Sequence, residues 1–197
     1  MSVCKAYEKE LLCLRHWLHQ HPELSMEEHL TTQFIYDYLN TLEIPCYKTG
    51  DTGVIATLML NPAYKTIAIR SEIDGLPIQE ATGLPFSSLY PGKMHACGHD
   101  DITAVTLCLA KVLAEHKEVL ACNVRFLFEP GEETGQGAKH LIAHGALENP
   151  KVDAILVFHF GNQEIRHMEI QKSITTAAVG GITLHVTGKS SHWFQPG

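Results

Sequence analysis

The chain has 197 residues and a formal net charge of −7 at pH 7, with 45% hydrophobic and 19% charged residues. This composition argues against a disordered protein and allows one α/β domain with a buried core, or one domain plus part of another. The acidic balance argues against nucleic-acid binding, and no apolar run approaches the about 20 residues of a membrane span.

The N-terminus and the cysteines indicate a cellular location. The opening sequence MSVCKAYEKELLCLRHW is charged and helical in pattern, unlike a signal peptide. Six cysteines are scattered along the chain without a CxxC pair, so we expect reduced thiols and a cytoplasmic protein. Thirteen histidines raise the expectation of metal chemistry without establishing it.

Apolar periodicity predicts alternating helices and strands. A helix over residues 2–20 ends before Pro22, and Ser25 with Glu28 has the spacing of a capping box that opens a second helix to about Leu42. The next predicted elements are strands over 54–60 and 66–70, a helix over 101–115, a strand over 123–128, a helix over 138–144 with Gly145 as its C-cap, and a strand over 153–159. Because the last strand contains the apolar run AILVF, we expect it to be covered on both faces.

This order of elements predicts an α/β fold, a three-layer sandwich with a largely parallel sheet. In such sheets functional sites lie at the carboxyl ends of the strands. Near residue 178 the pattern changes to the alternation typical of an antiparallel strand. We therefore expect residues 1–177 to form the N-terminal part of one domain, and residues 178–197 to begin a second, α+β domain that is cut short.

Cys97 and His99 are the first candidate metal ligands. Gly98 between them lets the backbone turn tightly, so that the thiolate and the imidazole can face one ion. Helix N-terminal N–H groups and a nearby cation would lower the pKa of the Cys97 thiol. A buried cysteine beside an exposed histidine is the ordinary alternative for this segment taken alone.

The second and third candidate segments follow predicted strands. Of the adjacent Glu132 and Glu133, one can bind a metal while the other acts as a general base, although a solvated acidic turn is the simpler explanation. His159 ends the last predicted strand, where it could also be a histidine at the rim of the sheet. The coincidence of all three segments at ends of successive elements favours a metal site, in which one tetrahedral ion takes three or four ligands and a pair of ions takes more.

At these residues the chain resembles the amidohydrolase branch of the dinuclear metallopeptidases related to aminoacylase. This branch includes hippurate hydrolases, N-acyl-amino-acid amidohydrolases and plant auxin-conjugate hydrolases. The resemblance extends over nearly the whole chain, in the segments RHWLHQHPELSMEE, RSEIDGLPIQEATGLPF, MHACGHDDITA, EPGEETGQGAKHLI and GKSSHWFQP.

The resemblance implies hydrolysis of the amide bond of N-acyl amino acids or related small amide conjugates, with two divalent ions, zinc or manganese. It implies four metal ligands, Cys97, His99, Glu133 and His159. Glu132 resembles the general base that activates water. His192 resembles a lid-domain histidine that reaches the active site of the partner subunit and helps to hold the substrate or its oxyanion, which implies a homodimer through the lid domain.

Supporting residues are also implied. Asp74 resembles the acidic residue that supports the site in this family, and we expect His95 and Asp100, beside the ligands, to support it too. Glu72 and Glu129 stand where the family usually has Asp and Gln, and Glu129 adds negative charge near the metals.

Alternative functions remain. Family members are considerably longer and supply a final metal-ligating histidine after the lid domain, so we expect this chain by itself to be at most a feeble hydrolase. One alternative is a truncated, inactive metal-binding or interaction remnant of the same fold. Another is a cysteine hydrolase that uses Cys97 with His95 or His99, and chelator sensitivity separates it because a thiol hydrolase survives EDTA.

Overall fold

A computed structural model of the chain describes residues 3–161 together with residues 184, 185 and 187. Contacts divide the chain into two units, residues 1–161 and 162–197, and the fold given below is that of the first unit. The domain boundary predicted at residue 178 and the candidate His192 fall in the part of the chain that is not described.

Five strands form one sheet in the first unit. In chain order they are β1 Cys46–Lys48, β2 Val54–Leu58, β3 Thr66–Glu72, β4 Asn123–Glu129 and β5 Ala154–Val157. Their order across the sheet is β1-β2-β4-β3-β5. β2 is antiparallel to β1 and β4, whereas β3 is parallel to β4 and β5, so β2 alone runs against the other four. The predicted largely parallel sheet is confirmed.

Helices cover both faces of this sheet. The four α-helices are α1 Val3–Gln20, α2 His29–Thr41, α3 His99–Glu115 and α4 Gly137–Ala143, and a 3₁₀ turn spans Lys117–Val119. On one face Phe126 and Phe128 of β4 pack in one core with residues of α1, α2 and α3. On the opposite face Leu127 packs with Leu141 of α4, as the alternation of side chains along a strand requires. The result is the predicted three-layer arrangement.

None of these helices has the length and apolarity that crossing a membrane requires, as far as the described residues extend.

The start of α2 differs from the predicted capping box. Glu28 is the N-cap residue but makes no side-chain capping bond. The carboxylate of Glu23 caps the helix instead, accepting hydrogen bonds from the N–H groups of Leu30 at 3.1 Å and Thr31 at 2.8 Å. Ser25 and Glu28 thereby remain available for contacts with distant parts of the chain.

The strand predicted over residues 153–159 is shorter than expected and is not covered. β5 pairs with β3 alone among the described strands and forms an edge of the sheet. Ile155, Leu156 and Val157 are 46%, 58% and 55% exposed, so the expectation of burial on both faces is wrong. An apolar run does not reveal whether neighbouring elements cover a strand, and α4 packs mainly over β4.

The chain before β5 is nevertheless firmly held. The buried Arg125 of β4 donates hydrogen bonds to the carbonyl oxygens of Glu148 at 2.6 Å and Pro150 at 3.1 Å. Asp153 exchanges hydrogen bonds with the backbone of Thr66, its N–H donating at 2.8 Å and its carboxylate accepting at 2.9 Å. These contacts fix where β5 begins beside β3, and hence where His159 lies at its far end.

Candidate metal centre

The carboxyl ends of β3, β4 and β5 meet at one edge of the sheet. Glu72 of β3 lies opposite Glu129 of β4. Three loops leave from this edge and carry Asp74, the Glu132–Glu133 pair and His159. Parallel strands therefore bring together side chains that are far apart in the sequence, as expected for an α/β sheet.

Cys97 and His99 reach the same edge from the start of α3. Gly98 is the N-cap residue, with a φ of 88° in the left-handed region that glycine adopts without strain. The chain turns there as predicted. His99 becomes the first residue of α3 and is fully buried, while Cys97 stays partly exposed.

The four predicted ligands and the predicted base lie close together. The Sγ atom of Cys97 is 3.5 Å from Nε2 of His159. Nε2 of His99 is 3.9 Å from a carboxylate oxygen of Glu132 and 3.9 Å from one of Glu133. Two groups of ligand atoms, one from Cys97, His99 and His159 and the other from His99, Glu132 and Glu133, each lie within 4.8 Å of one another.

Asp74 orients the ring of His99. Nδ1 of His99 lies 2.9 Å from the carbonyl oxygen and 3.1 Å from Oδ1 of Asp74, both of which are acceptors, so Nδ1 carries the proton and donates. Nε2 is then left as the ligand atom, and it is buried with no hydrogen-bond partner among the described residues. An orphaned buried nitrogen that faces carboxylates and a thiol fits a divalent cation, because such a cation would satisfy it.

Asp74 also holds the loop that carries the two glutamates. Its Oδ2 accepts hydrogen bonds from the Ser25 hydroxyl at 2.7 Å and from the Glu133 N–H at 3.0 Å. Burial alone would raise the pKa of Asp74, but hydrogen bonds with His99, Ser25 and Glu133 outweigh burial and lower it. Asp74 is therefore an anion that joins two candidate ligands.

Arg70 neutralises part of the acidic cluster, and the sequence reasoning did not single it out. Its guanidinium donates to Glu72 at 2.5 Å and to Glu129, and its Nη2 lies 3.9 Å from Glu132. Carboxylates directly opposite each other on paired strands repel, and Arg70 between Glu72 and Glu129 removes this penalty. The sequence does contain an indication of this ion pair, because Arg70 and Glu72 are two residues apart and therefore lie on the same face of β3.

The lowered pKa expected for the Cys97 thiol depends on a nearby cation. Burial, together with the nearby carboxylates of Glu133 and Glu132, raises its pKa to about 11. These surroundings disfavour the thiolate, so a bound cation is needed to stabilise it.

His95 and Asp100, the other predicted supporting residues, behave differently from each other. His95 is buried, neither of its nitrogens has a partner among the described residues, and burial lowers its pKa to about 4. Asp100 accepts hydrogen bonds from His19 at 2.7 Å and Arg15 at 3.1 Å. It thus ties the start of α3 to α1, behind the candidate ligands.

This fold brings thiol, imidazole and carboxylate donors together at the carboxyl edge of its sheet, a donor set that suits a divalent metal ion. Residues 68–188, more than half of the chain, match the sequence profile of Peptidase family M20/M25/M40, and the chain belongs to this family.

Two curated relatives are longer than the chain. An N-acetyl-L-cysteine deacetylase of Bacillus subtilis (strain 168) is 40% identical over 191 residues, which are 96% of this chain and 45% of that protein. A second protein of that strain, an N-acetylcysteine deacetylase, is 38% identical over 194 residues, 95% of this chain and 50% of its own length. The chain thus spans about half the length of the curated relatives it matches.

Two solved structures share the fold. The Bacillus subtilis YXEP protein, described as a dinuclear metal binding peptidase from the M20 family, is 42% identical with a TM-score of 0.74, over 79% of this chain and 44% of that one. The aminobenzoyl-glutamate utilization protein of Klebsiella pneumoniae is 22% identical with a TM-score of 0.64, over 80% and 45%, and this similarity shows the fold alone.

Proposed function

We propose that this chain supplies the metal-binding part of an amidohydrolase that cleaves the amide bond of N-acyl amino acids or related small amide conjugates. The observation that carries the proposal is the convergence of Cys97, His99, Glu133 and His159 beside the carboxylate of Glu132. The sequence resemblance to hippurate and auxin-conjugate hydrolases and the deacetylase activity named for the Bacillus relatives support this substrate class.

Two divalent ions are part of the proposal. Cys97, His99, Glu133 and His159 would hold them, with zinc favoured by the thiolate and manganese tolerated by the carboxylates. When bound, the ions would lower the pKa of water and polarise the amide carbonyl. Because His99 has one nitrogen available and occurs in both groups of ligands, a second ion needs ligands beyond those in the described residues.

Glu132 would perform the proton transfers. Burial raises the pKa of its carboxyl, which brings it nearer to the range suited to a general base at neutral pH. Its carboxylate would accept a proton from the attacking water and then deliver it to the nitrogen of the leaving amine. Arg70, whose Nη2 lies 3.9 Å from Glu132, helps to keep this carboxylate at the candidate metal centre. Asp74 holds the ring of His99 and the backbone of Glu133.

A homodimer, a cytoplasmic location and a substrate-binding role for His192 belong to the same proposal. No disulfide joins the cysteines in the described part of the chain, which is in keeping with a reducing compartment. Light scattering measures the oligomeric state and so tests the homodimer. The turnover of a His192→Ala variant tests the role of His192 in substrate binding.

The proposed activity is tested by hydrolysis of a panel of N-acyl amino acids. We expect the product of the whole reading frame to release the free amino acid, to lose this activity in EDTA and to regain it with manganese or zinc. The 197-residue chain alone should be far slower, because a dinuclear site needs further ligands. Activity that survives EDTA would refute the metal mechanism and favour a thiol hydrolase, and absence of turnover would favour an inactive remnant.

Asp74→Asn should weaken metal binding by about 10–100-fold, as is typical when a residue that orients a ligand is replaced. The amide group has one acceptor oxygen and cannot serve His99, Ser25 and the Glu133 N–H together. Titration of the chain with Co²⁺ or Zn²⁺ measures the effect. Asp51→Asn, at an exposed carboxylate, is the matched control, and equal affinities of the two variants would contradict the role given to Asp74.

A further inference from the structure

Glu28 is a buried glutamate outside the proposed ligand set. Its side chain has no exposed surface, although it begins a helix at the surface of the first unit. One oxygen, Oε1, accepts hydrogen bonds from the N–H of Met26 at 3.0 Å and from the N–H of Gly131 at 2.7 Å. The other oxygen has no partner among the described residues. Burying a carboxyl group so incompletely paired is costly, so its contacts need an explanation.

The contact with Gly131 connects Glu28 to the loop of the proposed base. Gly131 immediately precedes Glu132 and has a φ of 61°, a left-handed conformation. Its carbonyl oxygen accepts hydrogen bonds from the N–H groups of Gln136 at 3.1 Å and Gly137 at 3.2 Å, at the start of α4. Both peptide groups of Gly131 are therefore fixed, one of them by Glu28.

The backbone is thus held on both sides of Glu132. Glu28 binds the N–H of Gly131 before it, and Asp74 binds the N–H of Glu133 after it. The side chain of Glu132 itself is 36% exposed, and the distances in its ion pairs with Arg70 and His99 are both 3.9 Å. Since these side-chain contacts are weak, the direction of the Glu132 carboxylate depends largely on its backbone.

We propose that Glu28 is a positioning residue for Glu132: by binding the Gly131 N–H, it holds the backbone from which the Glu132 carboxylate reaches the metal centre. This inference rests on the proposed function for the role of Glu132, but the contact of Glu28 with Gly131 can be tested independently. What positions the loop is the acceptor oxygen, so a glutamine at position 28 should serve as well as the glutamate.

The test compares Glu28→Ala, Glu28→Gln and the control Glu27→Ala, whose carboxylate is 62% exposed. Amide hydrogen exchange over residues 129–134 is measured in the 197-residue chain. The Gly131 amide should be protected in the wild type, Glu28→Gln and Glu27→Ala, and should lose protection in Glu28→Ala. In the product of the whole reading frame, Glu28→Ala should lower kcat by about 10–100-fold with little change in KM, and Glu28→Gln should restore kcat.

Several results would overturn the inference. One is a Gly131 amide that is unprotected in the wild type. Another is a Glu28→Ala variant whose kcat and amide protection are unchanged. The third is an equal loss of kcat and protection in Glu28→Ala and Glu28→Gln. If alanine prevents folding, Glu28→Met keeps the length of the side chain without an acceptor and carries the same comparison, while exchange in the wild type still tests the contact. A wild-type enzyme with a protected Gly131 but no turnover would refute the proposed function instead.

Discussion

Glu132→Gln should reduce hydrolysis by about 10²–10⁴-fold, the usual contribution of a general acid–base group. The glutamine amide has nearly the shape of the carboxylate and can still accept a hydrogen bond, but it cannot take a proton from water at neutral pH. We therefore expect the fold and the metal content to be retained. Steady-state kinetics on the product of the whole reading frame, with metal analysis of the same samples, measures both properties.

Glu133→Gln is the matched comparison because it makes the same chemical change one residue later. Glu133 is proposed as a metal ligand, so this variant should lose metal along with activity. Loss of metal from Glu132→Gln and full metal in Glu133→Gln would mean that the two roles are reversed. Equal turnover in the wild type and Glu132→Gln would remove Glu132 from the mechanism altogether.

Glu28→Gln should change how the stability of the metal-free chain depends on pH. Burial raises the pKa of Glu28 from 4.5 to about 7 in the folded protein, although hydrogen bonds from the backbone of Met26 and Gly131 oppose the shift and the charge of Asp74 adds to it. Between these two values the folded state holds a proton that the unfolded state has released. The free energy of unfolding contributed by this group is thus fully present below pH 4.5 and is lost as the pH rises through about 7.

The size of this effect follows from the difference between the pKa of 4.5 in the unfolded chain and about 7 in the folded protein, which corresponds to about 3 kcal/mol. Urea unfolding at about pH 4 and about pH 8 should show the stability of Glu28→Gln rising relative to the wild type by an amount of this order. Glu27→Gln, at the neighbouring exposed side chain, controls for the general effect of removing a carboxylate. A constant difference between Glu28→Gln and the wild type at both pH values would contradict the burial argument.

Long, strongly patterned elements were predictable from the sequence. The apolar periodicity of α1 and α3 and the apolar residues on both sides of Arg125 in β4 depend on local spacing and on burial in the centre of the fold. The position of candidate ligands after strands was also predictable, because parallel strands bring their carboxyl ends to one edge. The three-residue strand β1 was not predicted, since so short an element has no period to detect.

Partners across the fold could not be predicted in the same way. Ser25 and Glu28 have the spacing of a capping box, but their partners are Asp74 and Gly131, which only the folded chain brings near. The exposure of β5 and the raised pKa of Cys97 have the same origin. Each of these properties depends on which parts of the folded molecule lie beside the residue, and the local sequence does not specify those neighbours.

The edge position of β5 has a consequence for the kinetics of metal exchange. Among the described strands β5 has one hydrogen-bonded neighbour and exposed faces, and such a strand opens locally at a smaller free-energy cost than β3 or β4, which are paired on both sides. His159 follows β5, so such an opening would withdraw one of the proposed ligands while Cys97, His99 and Glu133 keep their places. An ion held by all four residues would in turn favour the closed state and slow the fraying of the strand. With the proposed ligand set, metal release and the local unfolding of this edge would be coupled, and whatever covers β5 would set how long the ion stays.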